Sequence, residues 1–585
     1  MLLRSAVVVA QLLLVAMLLG EPARGQVAPA NPAPAEKPSG AGPGAVAKPA
    51  VVDPAVAAKA ASGAAGKPEN NRPAADELPT VSRAMGFYRA GKMDGAAAEF
   101  QRVIDAGYNS AAGYAGLARV QLRQDKVAEA VASANKGVEL GPNLASTQIA
   151  LGEVYIRQGR LEEAVELFRK LVVANTSDAR AYYGLARVFH LATYHKKESA
   201  LLARAHELDP RDPEIEAAWL RTQGWGVRIA GLEERLKDAS LDPEEKKALE
   251  TQLERYKAYE RQPARPCGLV PGATSTETSL KQIMATASVV EGYGLNVKVN
   301  GAPSTLLLDT GASGVLISQR IAEKAGVEKV ADAHFSGIGD KQRVPGYLGY
   351  AKSLVIGDFE FRDCYVDVID KNFNENSDGL LGANVFAHFM VELDFPEQKL
   401  RISPLPVDPA VGAEKASLDS NGDTAAQPHD RYISPDMKDF FLAYLDGHQL
   451  MIPTKLNDQS PFLFIMDTGS QSTLISLDAA RKIGKVSESN GQLRGIGGVV
   501  EKTYRTSFVH LQFASFRQRL DSMYCLDLTN WSNRNGIELS GFLGFGLLSM
   551  MDMKIDYRDA MISLKFDAKK FHGDLLPQQS YTRHY

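Results

Sequence analysis

Two hydrophobic periods divide the chain. Over residues 77–213 small and aromatic residues recur every 34 positions. Ala84, Ala118, Gly152 and Ala186 form one series, and Phe87, Gln121, Tyr155 and Phe189 a second. Ala96, Ala130 and Ala164 form a third, and Phe100, Ala134 and Phe168 a fourth. Small residues let paired helices approach, and aromatic residues fill the space between pairs. Gly-containing turns such as Gln158-Gly159-Arg160 split each repeat into two helices, and Pro142 and Pro210 close units. The spacing predicts about four helix–turn–helix units stacked into a solenoid. The fourth is expected to carry a small insertion near Tyr194-His195-Lys196-Lys197. Residues 230–262 are charged and helical in pattern, with Asp242 as N-cap and Pro243 in the first turn. They predict a connector, and the Pro, Gly, Thr and Ser of 263–280 mark a boundary.

Beyond it the period falls to two. Leu295-Asn296-Val297-Lys298-Val299 alternates, Asn300-Gly301 predicts a hairpin turn, and the return strand ends at Asp309. A second such region predicts a strand from Phe440 to Leu445, with Asp446-Gly447 as the matching turn. A further strand, Phe462 to Met466, ends at Asp467. Residues 404–437, rich in Pro, Ala and Asp, predict a linker between the two regions.

Both apolar runs end in the same tripeptide, Asp309-Thr310-Gly311 and Asp467-Thr468-Gly469. One Asp-Thr-Gly says little, since average composition yields about 0.1 chance occurrence in a chain of this length. The surroundings repeat as well. Gly337-Ile338-Gly339 begins 28 residues after Asp309, and Gly495-Ile496-Gly497 begins 28 after Asp467. An apolar-apolar-Gly element follows at offsets of 73 (Gly382) and 77 (Gly544). Twelve residues past each glycine lie Asp394 and Asp556, in Leu-Asp-Phe and Ile-Asp-Tyr. Four landmarks in one order, twice, are an internal duplication. A carboxylate at the end of an apolar strand is costly to bury alone, and two in matching settings predict a face-to-face pair. The bland alternative is a structural turn in which Asp caps and Gly adopts positive φ.

These residues resemble the retropepsin-like aspartic protease family over residues 290–403 and 440–567. Leu151-Gly152-Glu153-Val154-Tyr155 with Ala164 and Phe168 resembles a tetratricopeptide repeat. The expected fold is therefore multidomain: an α-helical repeat solenoid, then two all-β acid protease units forming a bilobal pseudo-dimer. Expected boundaries are a signal peptide at 1–25, a disordered linker at 26–76, helical repeats at 77–222 and a helical connector at 223–286. Unit 1 is expected at 287–405, a linker at 406–437, unit 2 at 438–570 and a tail at 571–585. The resemblance implies an aspartic endopeptidase in which Asp309 and Asp467 activate water between them. Thr310 and Thr468 would bond across the centre, Gly311 and Gly469 would let backbone approach the dyad, and Gly382 and Gly544 would pack beneath the loops. Gly337, Ile338, Gly339, Gly495, Ile496 and Gly497 would be flap tips. A Ser470 hydroxyl, opposite Ala312, could bond Asp467 and make the dyad asymmetric. The implied partners are a peptide or protein substrate and a protein bound to the helical repeats. A helical spacer that binds nothing is the equal alternative for the repeats. The dyad could form in one chain or between two copies in a homodimer. The rival function is a non-catalytic peptide-binding adaptor.

Composition narrows this little. At 585 residues, 45% hydrophobic, 23% charged and formal net charge −4, the chain has no basic excess for nucleic acid. Residues 1–25 read as a cleavable secretory signal: Arg4, an apolar run from Ala6 to Leu19, then Ala23-Arg24-Gly25. They place the protein outside the cytoplasm, secreted or periplasmic, with an uncleaved anchor as the alternative and no membrane span after cleavage. Residues 26–75 lack aromatics and predict a flexible tether. Three cysteines (Cys267, Cys364 and Cys525) make no disulfide framework and read as small buried hydrophobes, the last two at duplicate positions 55 and 58 residues after the aspartates. His190 and His195 have the spacing of a metal pair but no third ligand in sequence, and no cofactor or metal is expected.

Overall fold

The computed structural model describes residues 79–261, 267–286, 289–335, 337, 344–370, 377–409, 417–418, 429–491, 493–495, 498–500 and 502–566. The signal-like stretch, the tether, the tail and most of the 406–437 linker lie outside the described residues. Among the described residues eleven helices precede the strands: α1 (Val81–Arg89), α2 (Met93–Ala106), α3 (Ser110–Arg123), α4 (Val127–Leu140), α5 (Ala145–Arg157), α6 (Leu161–Ala174), α7 (Ala179–Leu191), α8 (His195–Leu208), α9 (Pro213–Arg221), α10 (Trp225–Arg235) and α11 (Pro243–Arg261).

The first eight form four pairs, and the periodic residues are their core. Ala84, Ala118, Ala186, Ala96, Ala130 and Ala164 have no exposed surface, nor do Phe100 and Phe168. Glycine is required beside the aromatics: a Cβ on Gly116 would lie 2.1 Å from the Phe100 ring, and on Gly184 2.2 Å from the Phe168 ring. Each pair turns through one left-handed residue, Gly91, Asp125, Gly159 and Thr193, again 34 apart. The fourth unit thus has no insertion. Thr193 keeps the spacing, and its left-handed turn is held by a hydroxyl bond to the Ala192 carbonyl at 2.8 Å.

The expected connector is part of the array. Ile229, Leu232, Leu241, Leu249, Leu253 and Tyr256 form their own apolar cluster between α10 and α11. Asp242 N–H then bonds the Ala90 carbonyl at 2.8 Å, tying α11 back to α1. On the inner side Arg180 bonds Asp212 at 2.7 Å and Glu153 at 3.0 Å, while Tyr88 donates to Glu214 at 2.6 Å. Burial of these charges is tolerable because they pair with one another.

The β region is duplicated about a pseudo-twofold. In the first unit the strand Ala302–Asp309 runs parallel to Gly379–Gly382, placing Asp309 beside Gly382. Gly379–Gly382 pairs antiparallel with Val315–Ser318, which runs parallel to Phe359–Ile369. The second unit repeats this with Gln459–Asp467, Gly541–Gly544, Leu474–Ser476 and Phe516–Leu526, and places Asp467 beside Gly544. A six-stranded sheet joins the units: Phe389–Asp394 pairs antiparallel with Met551–Asp556, matching Met390 with Asp556 and Asp394 with Asp552. Asp394 and Asp556 cap their hairpins by accepting from the Glu397 and Asp559 N–H groups, at 3.1 and 3.0 Å.

Register corrects two expectations. The counterpart of Asn300 is Asn457, not the Asp446-Gly447 turn. Each Asn side chain accepts from the backbone of a neighbouring strand, Ser353 N–H at 3.0 Å and His510 N–H at 2.8 Å. Cys364 and Cys525 lie on equivalent strands but not at equivalent positions, because Ile475 pairs with Cys525 where Ile317 pairs with Val368. Cys364 is not a free buried thiol either. The strand Cys267–Leu269 pairs with Phe359–Ile369, and Cys267 and Cys364, 97 residues apart, form a disulfide. Cys525 is free and buried.

The array docks on the second unit through its turns. The Arg157 carbonyl accepts from Glu538 N–H at 2.7 Å, and the Arg157 guanidinium donates to Asn533 at 2.5 Å. A Cβ on Gly159 would lie 2.9 Å from Leu463. One repeat later the Thr193 hydroxyl accepts from Arg431 at 3.1 Å, and Lys196 N–H bonds the His429 carbonyl at 3.2 Å. Among the described residues no helix is long and apolar enough to cross a membrane.

Candidate active site

The two Asp-Thr-Gly loops meet within one chain. Each follows a strand whose parallel neighbour ends in glycine, and there is no room for more. A Cβ on Gly382 would lie 2.4 Å from the Ala312 carbonyl, and on Gly544 2.4 Å from the Ser472 backbone. The threonines cross-link the loops. Thr310 N–H donates to Thr468 Oγ1 and Thr468 N–H to Thr310 Oγ1, both at 3.0 Å. Each hydroxyl then donates across the centre, Thr310 to the Met466 carbonyl at 2.8 Å and Thr468 to the Leu308 carbonyl at 2.9 Å. Both threonines are 1% exposed, so four bonds close without water.

The carboxyls face each other above this lock. Gly311 N–H donates to Asp309 Oδ1 at 2.8 Å, and Gly469 N–H to Asp467 Oδ1 at 2.9 Å. Each glycine also backs the opposite carboxyl: a Cβ on Gly311 would lie 2.7 Å from Asp467 Cγ, and one on Gly469 2.4 Å from Asp309 Cγ. The two carboxyls lie within reach of each other, and a pair this close favours sharing one proton over double ionisation. Burial pushes both carboxyls above the ordinary range, and the Asp309 charge pushes Asp467 further.

Ser470 departs from its expected role. Its hydroxyl donates to the Ser472 carbonyl at 3.0 Å, and it is the Ser470 backbone N–H that reaches Asp467, also at 3.0 Å. The asymmetry lies instead at His448, which sequence reading did not single out. His448 Nε2 is 3.1 Å from the Gly311 carbonyl, on the other unit's loop. Burial lowers its proton affinity, so the neutral ring donates this bond. Counting from Leu295 and Ile452, which pair with the equivalent residues Leu306 and Phe464, the first unit carries Glu291 there. Aligning the hairpins on Asn300 and Asn457 would have exposed the difference.

Around the first loop, Ile283, Leu307, Leu316, Ile369 and Leu380 form an apolar cluster, with Ala312 and Phe335 packed on it. Of the flap residues, Gly337 follows the hairpin strand ending at Phe335, and Gly495 pairs with Gly498 in a two-stranded hairpin. Ile338, Gly339, Ile496 and Gly497 lie outside the described residues.

The comparisons agree with this division of the chain. The aspartyl protease family model matches residues 295–385 and 452–545, and tetratricopeptide repeat models match 81–145 and 145–188. The UBA domain-containing protein Mud1 of Schizosaccharomyces pombe is 28% identical over 146 residues, 25% of this chain and 43% of that protein. Protein DDI1 homolog 1 of Homo sapiens is 25% identical over 219 residues, 35% of this chain and 52% of that protein. The chain thus spans about half the length, or less, of these relatives. Among solved structures, a tetratricopeptide repeat protein of Thermus thermophilus aligns at 22% identity over 30% of this chain and 96% of that one, TM-score 0.25. An aspartic proteinase from Irpex lacteus aligns at 13% identity over 50% and 98%, TM-score 0.32. These scores are low, and the fold rests on the strand pairings themselves. The chain carries a retropepsin-like aspartyl protease domain in two segments, behind tetratricopeptide repeats.

Proposed function

We propose that the protein is an aspartic endopeptidase whose dyad, Asp309 and Asp467, forms within one chain. The observation that carries this is the facing carboxyl pair, each member backed by the other unit's glycine. Amide hydrolysis by this route needs a base for water and an acid for the carbonyl and leaving nitrogen. A pair that holds one proton supplies both. The ionised carboxyl takes a proton from water as it attacks the scissile carbonyl carbon. The protonated one donates to the carbonyl oxygen, and the proton taken from water then passes to the leaving nitrogen as the C–N bond breaks.

The array contributes geometry in this reading. Its inner-face charges pair with each other, which leaves less there for a recruited peptide than the repeats alone suggested. Its turns hold the second unit. The Cys267–Cys364 disulfide and the signal-like residues 1–25 support a site of action outside the cytoplasm.

The test is a peptide library incubated with protein from Gln26 onward, across about pH 3 to 8, a range that brackets such dyads. Asp309→Asn and Asp467→Asn proteins run in parallel. New termini with the parent alone support the reading. Cleavage that survives either single substitution overturns the single-chain dyad, and no cleavage by the parent at any pH favours the adaptor.

A further inference from the structure

The pair His190 and His195, which the sequence left without a third ligand, acquires one in the fold. His190 lies in the last turn of α7, Thr193 turns the chain through its left-handed conformation, and His195 opens α8. Glu198, one turn into α8, then sits between the two rings. His190 Nδ1 is 2.9 Å from Glu198 Oε1, and His195 Nδ1 is 2.9 Å from Glu198 Oε2. One ligand atom from each of the three lies within 4.8 Å of the others.

We propose that His190, His195 and Glu198 form a binding site for a divalent transition-metal ion of the zinc class. Two imidazoles and a carboxylate are a borderline donor set, suited to Zn²⁺, Ni²⁺ or Cu²⁺ rather than Mg²⁺ or Ca²⁺. Donor atoms already at 2.9 Å need only small rotations to share one ion. His190 and His195 keep 45% and 33% of their side-chain surface exposed, which gives the ion a way in and leaves a position for water. The alternative, two neutral rings donating to one carboxylate, uses the same atoms and binds no metal.

The site lies on the seam between array and protease. The His429 ring, on the segment that docks against α8, is 5.9 Å from the His195 ring, and its Nε2 holds Asp559 at 3.1 Å. Asp446 of the second unit acts electrostatically on His190 and adds negative charge on the protease side. Two residues after Asp446 comes His448, the residue bonded to the Gly311 carbonyl. An ion here would stiffen the seam that carries this hairpin.

The experiment uses full-length chain without a histidine tag, stripped with chelator and then titrated with Zn²⁺ against a chromophoric competitor. The parent is expected to take one Zn²⁺ per chain. His195→Ala and Glu198→Gln are each expected to weaken binding about tenfold or more. His206→Gln removes a histidine of the same array that stacks on Trp219 at 3.9 Å, and should leave binding unchanged. Glu198→Gln preserves side-chain shape, so circular dichroism should match the parent. Zn²⁺ should raise the melting temperature of the parent and not of this variant. A parent that takes no Zn²⁺, or site variants that bind it as the parent does, overturns the assignment.

Discussion

Replacing Thr310 by valine tests whether the threonine lock holds the two units' loops together. Valine keeps the shape and removes one hydroxyl. That hydroxyl donates to the Met466 carbonyl at 2.8 Å and accepts from Thr468 N–H at 3.0 Å. Both partners are backbone groups in a site from which water is excluded, so each is left unsatisfied. A stranded buried group costs about 1–3 kcal/mol, and two give about 2–6 kcal/mol. Domains are commonly stable by about 5–15 kcal/mol, so the variant should fold but sit near its limit. The chain has three tryptophans, and Trp531 packs on Phe542 at 5.2 Å, two residues before Gly544. In a Trp219→Phe, Trp225→Phe background its fluorescence reports urea unfolding of the second unit. Thr468→Val removes the mirror bonds, to the Leu308 carbonyl at 2.9 Å and from Thr310 N–H at 3.0 Å. Its loss should match to within about 0.5 kcal/mol if the lock is symmetric. Destabilisation under about 1 kcal/mol in both would refute the argument, since no buried bond worth that little could hold the loops.

Other perturbations probe the remaining links. Gly184→Ala puts a Cβ 2.2 Å from the fully buried Phe168 ring and should cost about 1–3 kcal/mol, read as a lower melting point of the helical ellipticity. An unchanged melt would mean that α6 and α7 can part freely. Opening the Cys267–Cys364 bridge with Cys364→Ser frees a loop spanning 97 residues. A native disulfide of this kind is worth about 2–4 kcal/mol, which denaturation with and without the bridge would measure. Asp556 is buried next to Asp559 and its carboxyl is pushed up from 3.8 to about 7. The folded state therefore holds a proton that the unfolded state releases, and this contribution is present below pH 3.8 and fades as pH rises towards 7. Asp556→Asn should flatten that part of the stability–pH curve, and an undiminished slope would place its source elsewhere.

The local features of this architecture were open to sequence reading because their causes are local. A 34-residue spacing follows from one helix pair fitting the next. Asp309 and Asp467 stand out because each ends an apolar strand in matching company. What escaped depends on register or on contacts between distant segments. Cys267 meets Cys364 only because a three-residue strand adds to the edge of Phe359–Ile369. Asp446-Gly447 does turn a hairpin, with Asp446 opposite Gln449, but the counterpart of Asn300 is Asn457, whose role is visible only in the bonds of its side chain. Ser470 was expected to use its hydroxyl on Asp467, but the backbone N–H reached the carboxylate and the hydroxyl turned to Ser472. The connector read as a spacer because its charges outnumber its apolar residues, yet those few align into one stripe.

Joining both units in one chain allows what two identical chains cannot have. In a symmetric pair of copies, any group that touches one catalytic loop must also touch the other. Here the hairpin before each aspartate strand reaches across to the opposite loop. A Cβ on Gly292 would lie 3.7 Å from the Thr468 carbonyl, while His448 bonds the Gly311 carbonyl at 3.1 Å. The two sides have diverged to Glu291 and His448. Among the described residues the array docks on the second unit, where Arg157 bonds Glu538 and Asn533 and Thr193 bonds Arg431. The second unit's side is therefore buttressed by helices. His448→Ala should then shift substrate preference and the pH profile without abolishing cleavage, because the carboxyls keep their own N–H donors. Glu291→Ala should act on the opposite side of the scissile bond. If the two substitutions changed the same subsite, the asymmetry would be ornamental and the cleft would behave as two equal halves.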